Sequence, residues 1–225
     1  MMEAYSGRDE ARFPGIFHQM YRQRYDIYVK RRKWRDLQPK GDLEKDQYDT
    51  ADATYLLALD DEENVLAGLR LLKTTGPHIF GDLFANLAGD HGVPRGEDIL
   101  ELTRFYVKPG VSGGRDMRKW LIGVISAGMF EYCLDNGIAQ ISSIIDTFLL
   151  PQMLELEWRV RPLSLPYRYG QGSAVGVLID VSEEALESTR RIKQLAGPVL
   201  ATSVHPIPRI PAHIHEPLRQ PQYVN

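Results

Sequence analysis

With 225 residues, 43% of them apolar and 25% charged, the chain is long enough to bury one substantial core and has the make-up of an ordinary globular domain. No apolar run approaches the roughly 18 residues needed to span a bilayer, and the polar opening segment, residues 1–12, lacks a signal-peptide core, so a cytoplasmic protein with no membrane partner is expected. A net charge of −3 argues against a nucleic-acid partner, and a single cysteine among six scattered histidines excludes an internal disulfide and offers no zinc-ligand spacing.

Residues 11–29 carry Phe13, Ile16, Phe17, Met20, Tyr21, Tyr25 and Tyr28 at three- and four-residue spacing, which predicts an amphipathic helix. Arg24 falls beside or within that apolar stripe. A guanidinium buried there needs an anionic partner, from the protein or from a ligand. The basic block Lys30-Arg31-Arg32-Lys33 and Trp34 follow, and such a block is either a solvated helix end or a docking spot for an acidic partner or a phosphate. Residues 38–42 break the helix, and the stretch from Gly41 to Glu63 holds nine acids and one lysine.

Residues 54–59 and 65–72 flank an acidic turn and read as a hairpin, with Arg70 interrupting the second apolar run and pointing inward with Arg24. A short helical segment, residues 79–87, offers Phe80, Leu83, Phe84 and Leu87 for packing. Residues 100–109 alternate apolar and polar side chains up to a Pro-Gly pair and read as a strand. On it Glu101, Thr103 and Phe105 share one face, and Leu102, Arg104 and Tyr106 the other. An acid that takes a proton from a nucleophile, beside a hydroxyl that holds a substrate oxygen, is half of an acyl-transfer site. A mixed strand with a surface Glu–Arg pair is the alternative.

Residues 111–115, Val-Ser-Gly-Gly-Arg, lead into a long helix, residues 116–134, with Trp120, Leu121, Val124, Ile125, Met129 and Phe130 on its inner side and Asn136-Gly137 closing it. Strand, glycine turn and helix start form either a plain turn or a backbone cradle for a phosphate. A strand over 141–145, a short helix over 148–156, a strand over 172–181 and a capped helix from Ser182 to about residue 195 complete the ordered part. Six prolines from residue 198 onward predict an irregular or partly disordered tail, 198–225, after one domain of residues 1–197. The order of elements is that of a single three-layer α/β domain, one mixed sheet between helices.

Arg24, Tyr28, Trp34, Glu44-x-Asp46-x-Tyr48-Asp49, Arg70, Pro77, Phe84 and Glu101-x-x-Arg104-Phe105 together resemble the acyl-homoserine lactone synthases of the LuxI type, which make quorum-sensing signals. The resemblance covers residues 13–180. It implies a fold like that of the GCN5-related N-acetyltransferases, a twisted mixed sheet with a V-shaped split between central strands. It implies S-adenosylmethionine as the amine substrate, with no separate cofactor, and an acyl-acyl carrier protein or acyl-coenzyme A as donor. The products are an N-acyl-homoserine lactone and 5′-methylthioadenosine.

Carried onto this sequence, the resemblance implies Glu101 as the base, directly or through a water, with Thr103 orienting the thioester carbonyl. Arg24 and Arg104 are the candidates for the substrate carboxylate, and Tyr28, Trp34, Asp46 and Asp49 for the sulfonium. Phe105 belongs to the same site, and Arg70 and Phe84 support it. Asp46 and Asp49 read equally well as structural partners of Arg24. Leu102, Leu121, Val124, Ile125 and Met129, with Ser143, Ile145, Phe148 and Leu149, would line an acyl slot, Gly123 and Gly128 leaving room, although each also reads as core. Ser143 stands where synthases selecting 3-oxo chains often have threonine. Lys30, Arg31, Arg32, Lys33, Arg115, Arg118 and Lys119 would dock the donor. A coenzyme A-dependent N-acyltransferase acting on another amine is the alternative.

Overall fold

The computed structural model describes residues 1–34, 37–170 and 172–201. Its centre is one mixed sheet of eight strands: β1 (Met2–Ser6), β2 (Thr54–Leu59), β3 (Val65–Lys73), β4 (Ile99–Val107), β5 (Gln140–Asp146), β6 (Val160–Pro162), β7 (Tyr167–Tyr169) and β8 (Gly172–Asp180). The order across the sheet is β1-β2-β3-β4-β5-β8-β6, with β7 also on β8. The expected hairpin is β2–β3. The short strands β1, β6 and β7 were not expected, because three to five residues are too few to display alternation.

Beyond the sheet on one side lie α1 (Pro14–Arg24) and the π-helical turn Tyr25–Arg31. Ile16, Phe17, Met20 and Tyr21 of α1 pack on Tyr5, Tyr55, Leu57, Leu59 and Val65. The helix expected over 11–29 thus starts at Pro14, after the Phe13 cap, and changes from α to π winding at Tyr25. On the other side α3 (Gly114–Asp135) and α5 (Glu183–Lys193) cover the larger core, with Phe130 edge-on to Trp158 at 5.0 Å. The helix expected over 79–87 is a short α2 (Ile79–Leu83) followed by a 3-10 stretch, Ala85–His91. Phe80 and Leu87 are buried there, but Leu83 and Phe84 are 59% and 41% exposed, so neither packs as expected. The helix α4 (Leu150–Glu155) stands where 148–156 was read.

Two features shape the centre. Parallel pairing of β4 with β5 runs from Ile99–Gln140 to Leu102–Ser143 and stops, while β4 continues to Val107 and β5 to Asp146. The sheet therefore splits in a V, as the resemblance implied. The second feature is a bulge in β4: Arg70 pairs with Thr103 and Gly68 with Tyr106, so Arg104 and Phe105 together oppose one residue of β3. Arg104 has φ +53°, and beyond it the faces exchange. Phe105 joins Leu102 against the α3 core, and the expected sharing of a face by Phe105 with Glu101 and Thr103 fails at this point.

Gly123 and Gly128 leave no room for a ligand. A Cβ on Gly123 would stand 2.6 Å from Lys193 of α5, and one on Gly128 2.4 Å from Met2 of β1, so both glycines serve close packing of the protein on itself. The first residues of the proline-rich segment lie on the sheet edge: Met2 N–H donates to Val199 at 2.9 Å and Ala201 N–H to Met2 at 2.8 Å. Glu131 of α3 accepts from the Val199 and Leu200 amides there. The rest of that segment, 202–225, is outside the described residues. Among the described residues no helix is long and apolar enough to cross a membrane.

Candidate active site

The turn of acids after Pro39 folds under α1 and brings Glu44, Asp46 and Asp49 against three arginines from three different elements. Arg24, at the end of α1, donates Nε to Glu44 at 2.5 Å and both terminal nitrogens to Asp49 at 2.7 and 2.8 Å. Arg70 of β3 holds Asp46 bidentately at 2.7 and 3.0 Å, lies 2.7 Å from Asp49, and donates Nε to Thr103 Oγ1 at 3.0 Å. Arg104, turned by the bulge, donates to Glu44 at 2.8 and 3.1 Å and to Asp46 at 2.8 Å.

Formal charges in this set cancel, and each ion has more than one partner, which is what permits burial: the Arg24 and Arg70 side chains are 1% and 0% exposed. Burial alone would lower Arg24, but Asp49 and Glu44 outweigh it and raise it well above the usual arginine value. Burial pushes Glu44 up, and Arg24 and Arg104 overcome that push and hold its carboxyl at about 2. Asp49 is likewise held far below the usual carboxylate range, burial being outweighed by Arg24 and Arg70.

Above the network lies an aromatic cover. Trp34 N–H donates to the Tyr28 carbonyl at 3.0 Å, folding the chain back after the π-helical turn so that the two rings stack at 4.8 Å and 27°. The Arg104 guanidinium sits 5.2 Å from the Tyr28 ring centre and 5.8 Å from that of Trp34. Tyr28 is buried and its hydroxyl donates to the Phe105 carbonyl at 3.3 Å, whereas Trp34 is 37% exposed. The network thus ends, through Arg104, under a partly open aromatic lid beside the split in the sheet.

Glu101 takes a different position. Its two oxygens accept the amides of Ile79 and Phe80 at 2.8 Å each, holding the first turn of α2, and the residue is 1% exposed. Burial raises its carboxyl to about 7, against the opposing pull of the two amides, Arg70 and Arg104.

A family model described as autoinducer synthase matches residues 10–189. The chain belongs to the autoinducer synthase family. It is 34% identical over 188 residues to the isovaleryl-homoserine lactone synthase of Bradyrhizobium diazoefficiens, covering 83% of each chain. Among solved structures it resembles MesI, a CoA-dependent acyl-homoserine lactone synthase (33% identity, TM-score 0.80, 89% of this chain and 99% of that one). It also resembles BjaI, another CoA-dependent synthase, solved with SAM and isopentyl-CoA (31%, TM-score 0.81, 94% and 96%). At the level of fold alone it matches an acyl-CoA N-acyltransferase from Pseudomonas aeruginosa (15%, TM-score 0.51, 79% and 98%). The chain is accordingly an acyl-transferring enzyme, an acyl-homoserine lactone synthase on an acetyltransferase-like sheet.

Within this autoinducer synthase the expected residues divide into three groups. Arg24, Asp46, Asp49, Arg70, Arg104, Tyr28 and Trp34 come together, although Arg24 and Arg70 are enclosed by protein carboxylates. Phe105 contributes its carbonyl to Tyr28 while its ring faces the α3 core, and Phe84 lies exposed at the end of α2. The proposed acyl-slot residues Leu121, Val124, Ile125 and Met129 are 0–1% exposed core, Leu102 and Ile145 are also buried, Leu149 is half-buried, and Phe148 is 62% exposed. Ser143 donates to the Leu102 carbonyl at 2.9 Å, where the two strands part.

The basic residues do not act as one block. Lys30 pairs with Asp26 and Arg32 with Asp146, while Arg31, Lys33, Arg115 and Lys119 are exposed and Arg118 reaches the Val107 carbonyl at 3.4 Å. Glu44, which bridges Arg24 and Arg104, stood in the pattern that carries the resemblance but was assigned no role in the site. Its signal was its place two and five residues before Asp46 and Asp49 in the acidic stretch.

Proposed function

We propose that the chain transfers an acyl group from a coenzyme A thioester to the α-amine of S-adenosylmethionine, and that the product closes to an N-acyl-homoserine lactone. The observation that carries this reading is the parting of β4 and β5 at Leu102 and Ser143, directly beside Arg104 and its aromatic cover. Arg104 uses Nε and Nη2 on Glu44 and Asp46, so Nη1 is the donor assigned to the substrate carboxylate. The faces of Trp34 and Tyr28 suit a sulfonium.

In the first step the amine nitrogen bonds to the thioester carbonyl carbon, the carbon–sulfur bond breaks, and the amine's proton is lost as the thiolate leaves. An α-amine with a pKa of about 8 is partly unprotonated near neutral pH, so the proton can pass to water. Glu101 enters as the anchor of α2, because both its oxygens are engaged and it faces no opening. Thr103 acts by holding Arg70. The β4 edge beyond Leu102, which has no strand partner on the β5 side, supplies backbone groups for the thioester carbonyl. In the second step a carboxylate oxygen bonds to the carbon bearing the sulfonium, and 5′-methylthioadenosine leaves with the electron pair. The positive sulfur is already an activated leaving group, so alignment suffices and no metal or redox cofactor enters.

Coenzyme A is favoured over a carrier protein because MesI and BjaI, synthases 33% and 31% identical to this chain, are CoA-dependent. The amides of the exposed residues Arg115 and Asp116, in the first turn of α3 after the Gly113 cap at φ +86°, suit a pyrophosphate. The test offers purified protein S-adenosylmethionine with a panel of acyl chains, each as coenzyme A and as carrier-protein thioester, and reads products by mass spectrometry. Lactone with stoichiometric methylthioadenosine from coenzyme A thioesters is expected. Product from carrier-protein thioesters alone overturns the donor assignment, and coenzyme A release without methylthioadenosine overturns the amine assignment.

A further inference from the structure

We propose that Arg32, Asp146 and Tyr169 form a clasp across the open end of the split sheet, and that this clasp positions the aromatic cover of the amine site against the arm that receives the thioester. The inference rests on the acyl-transfer reading above. After Leu102 and Ser143 each arm of the V runs on without the other, β4 to Val107 and β5 to Asp146. Residues 28–34 are fastened to both. Tyr28 Oη donates to the Phe105 carbonyl on the β4 arm at 3.3 Å, and Arg32 Nη1 donates to Asp146 Oδ2 at the tip of the β5 arm at 3.0 Å.

The same Arg32 lies 5.5 Å from the Trp34 ring centre, on a ring that stacks on Tyr28. Arg32 therefore touches the cover and the far arm at once. Asp146 is held from a third direction, its other oxygen accepting from the Tyr169 hydroxyl of β7. Its side chain is 11% exposed, unlike those of the solvated pairs such as Arg8–Asp52 at 72% and 64%.

Geometry is what such a pair supplies. An ion pair with a 39%-exposed arginine contributes little to overall stability. Trp34, however, is held among the described residues by its backbone bond to Tyr28, by stacking and by the Arg104 and Arg32 guanidiniums at its ring, and is itself partly exposed. Removing Arg32 or Asp146 frees the cover from the β5 arm without touching the buried arginine network. Arg32 and Asp146 are thus positioning residues, and Arg32 leaves the docking block to which its sequence neighbours assigned it.

The test is a double-mutant cycle of Arg32→Ala and Asp146→Ala, read in two ways. Steady-state kinetics should show KM for S-adenosylmethionine raised about fivefold in each single variant and hardly further in the double, with a smaller change in kcat. Acrylamide quenching of the fluorescence lost in Trp34→Phe should rise in the same variants, and this readout needs no substrate. Arg22→Ala, which breaks an exposed pair with Asp42, should move neither. Additive effects of the two substitutions, or wild-type KM and quenching in both, would overturn the clasp. Should the wild-type protein form no lactone, the acyl-transfer reading fails by itself, while quenching still decides whether the clasp exists.

Discussion

On the face of the sheet covered by α3 and α5, Leu121, Val124, Ile125, Met129 and Phe130 pack at 0–1% exposure against apolar strand residues, whereas on the face covered by α1 the same sheet buries Arg24 and Arg70 just as deeply against carboxylates. The first face draws its stability from area removed from water and tolerates changes that preserve volume. The second carries a desolvation cost that its ion pairs offset only while the set is complete. What it supplies in return is geometry: three elements fixed to one another at hydrogen-bond distances, with Arg104 aimed at the aromatic cover.

The sharpest way to break the contrast is Asp49→Ala, which takes a carboxylate partner from Arg24 and from Arg70 at once, leaves the buried set one negative charge short, and leaves the Tyr55 hydroxyl without its 2.8 Å acceptor. A loss of about 3–5 kcal/mol in chemical denaturation is expected, together with loss of S-adenosylmethionine binding by calorimetry. On the apolar face Ile179→Ala should cost about 2–5 kcal/mol, yet leave KM for both substrates near wild type in the folded protein. If Ile179→Ala weakened binding as much as Asp49→Ala, the division of labour between the faces would collapse.

Glu101 sharpens the comparison through pH. Its folded carboxyl, raised to about 7, holds a proton more tightly than the unfolded chain does, so its contribution to stability is full below the ordinary value of 4.5 and is lost as pH rises through 7. Glu44, held at about 2, behaves oppositely: its contribution is present above 4.5 and is lost as pH falls toward 2. Urea midpoints measured across pH 5 to about 8 should therefore decline for wild type and flatten in Glu101→Gln, which also forfeits about 1–3 kcal/mol by setting an amide donor against an α2 amide. With Glu101 as an anchor, the acid limb of kcat/KM survives in Glu101→Gln at lower amplitude; disappearance of that limb would make it the base.

The smallest effect is expected at Tyr106, whose buried hydroxyl has no hydrogen-bond partner among the described residues. Tyr106→Phe should change stability by less than about 1 kcal/mol, toward greater stability. A clear loss would mean that the hydroxyl serves the polar face after all.

Much of the fold was legible because its strongest elements declare themselves. The β2–β3 hairpin has a polar turn between apolar runs, α3 has a long apolar stripe and a glycine at each end, and α5 has Ser182 accepting the Ala185 amide at 3.2 Å. The need of Arg24 for an acid followed from its place in an apolar stripe, and the structure supplies Glu44 and Asp49. What alternation could not show was a backbone event. Arg104 reaches the network only because φ is +53° there, and an arginine gives no sign of that in sequence. The glycines of α3 were misread for a related reason: a missing side chain marks close approach without saying of what. The bonds Glu101 accepts were out of sight because the amides belong to residues 79 and 80, more than twenty positions away.

The pairing of Met2 with residues 199–201 sets an order of events during synthesis. Of the described strands β1 comes first in the chain, and the segment that bridges its outer edge at Met2 comes after all the others. Until Leu200 has left the ribosome and reached Glu131, the outer edge of β1 at Met2 offers its backbone N–H and carbonyl to any neighbouring chain. A chain shortened to end before Val199 would keep the whole arginine network and still carry that bare edge, so its failure would be seen as aggregation of the nascent protein before any loss of activity.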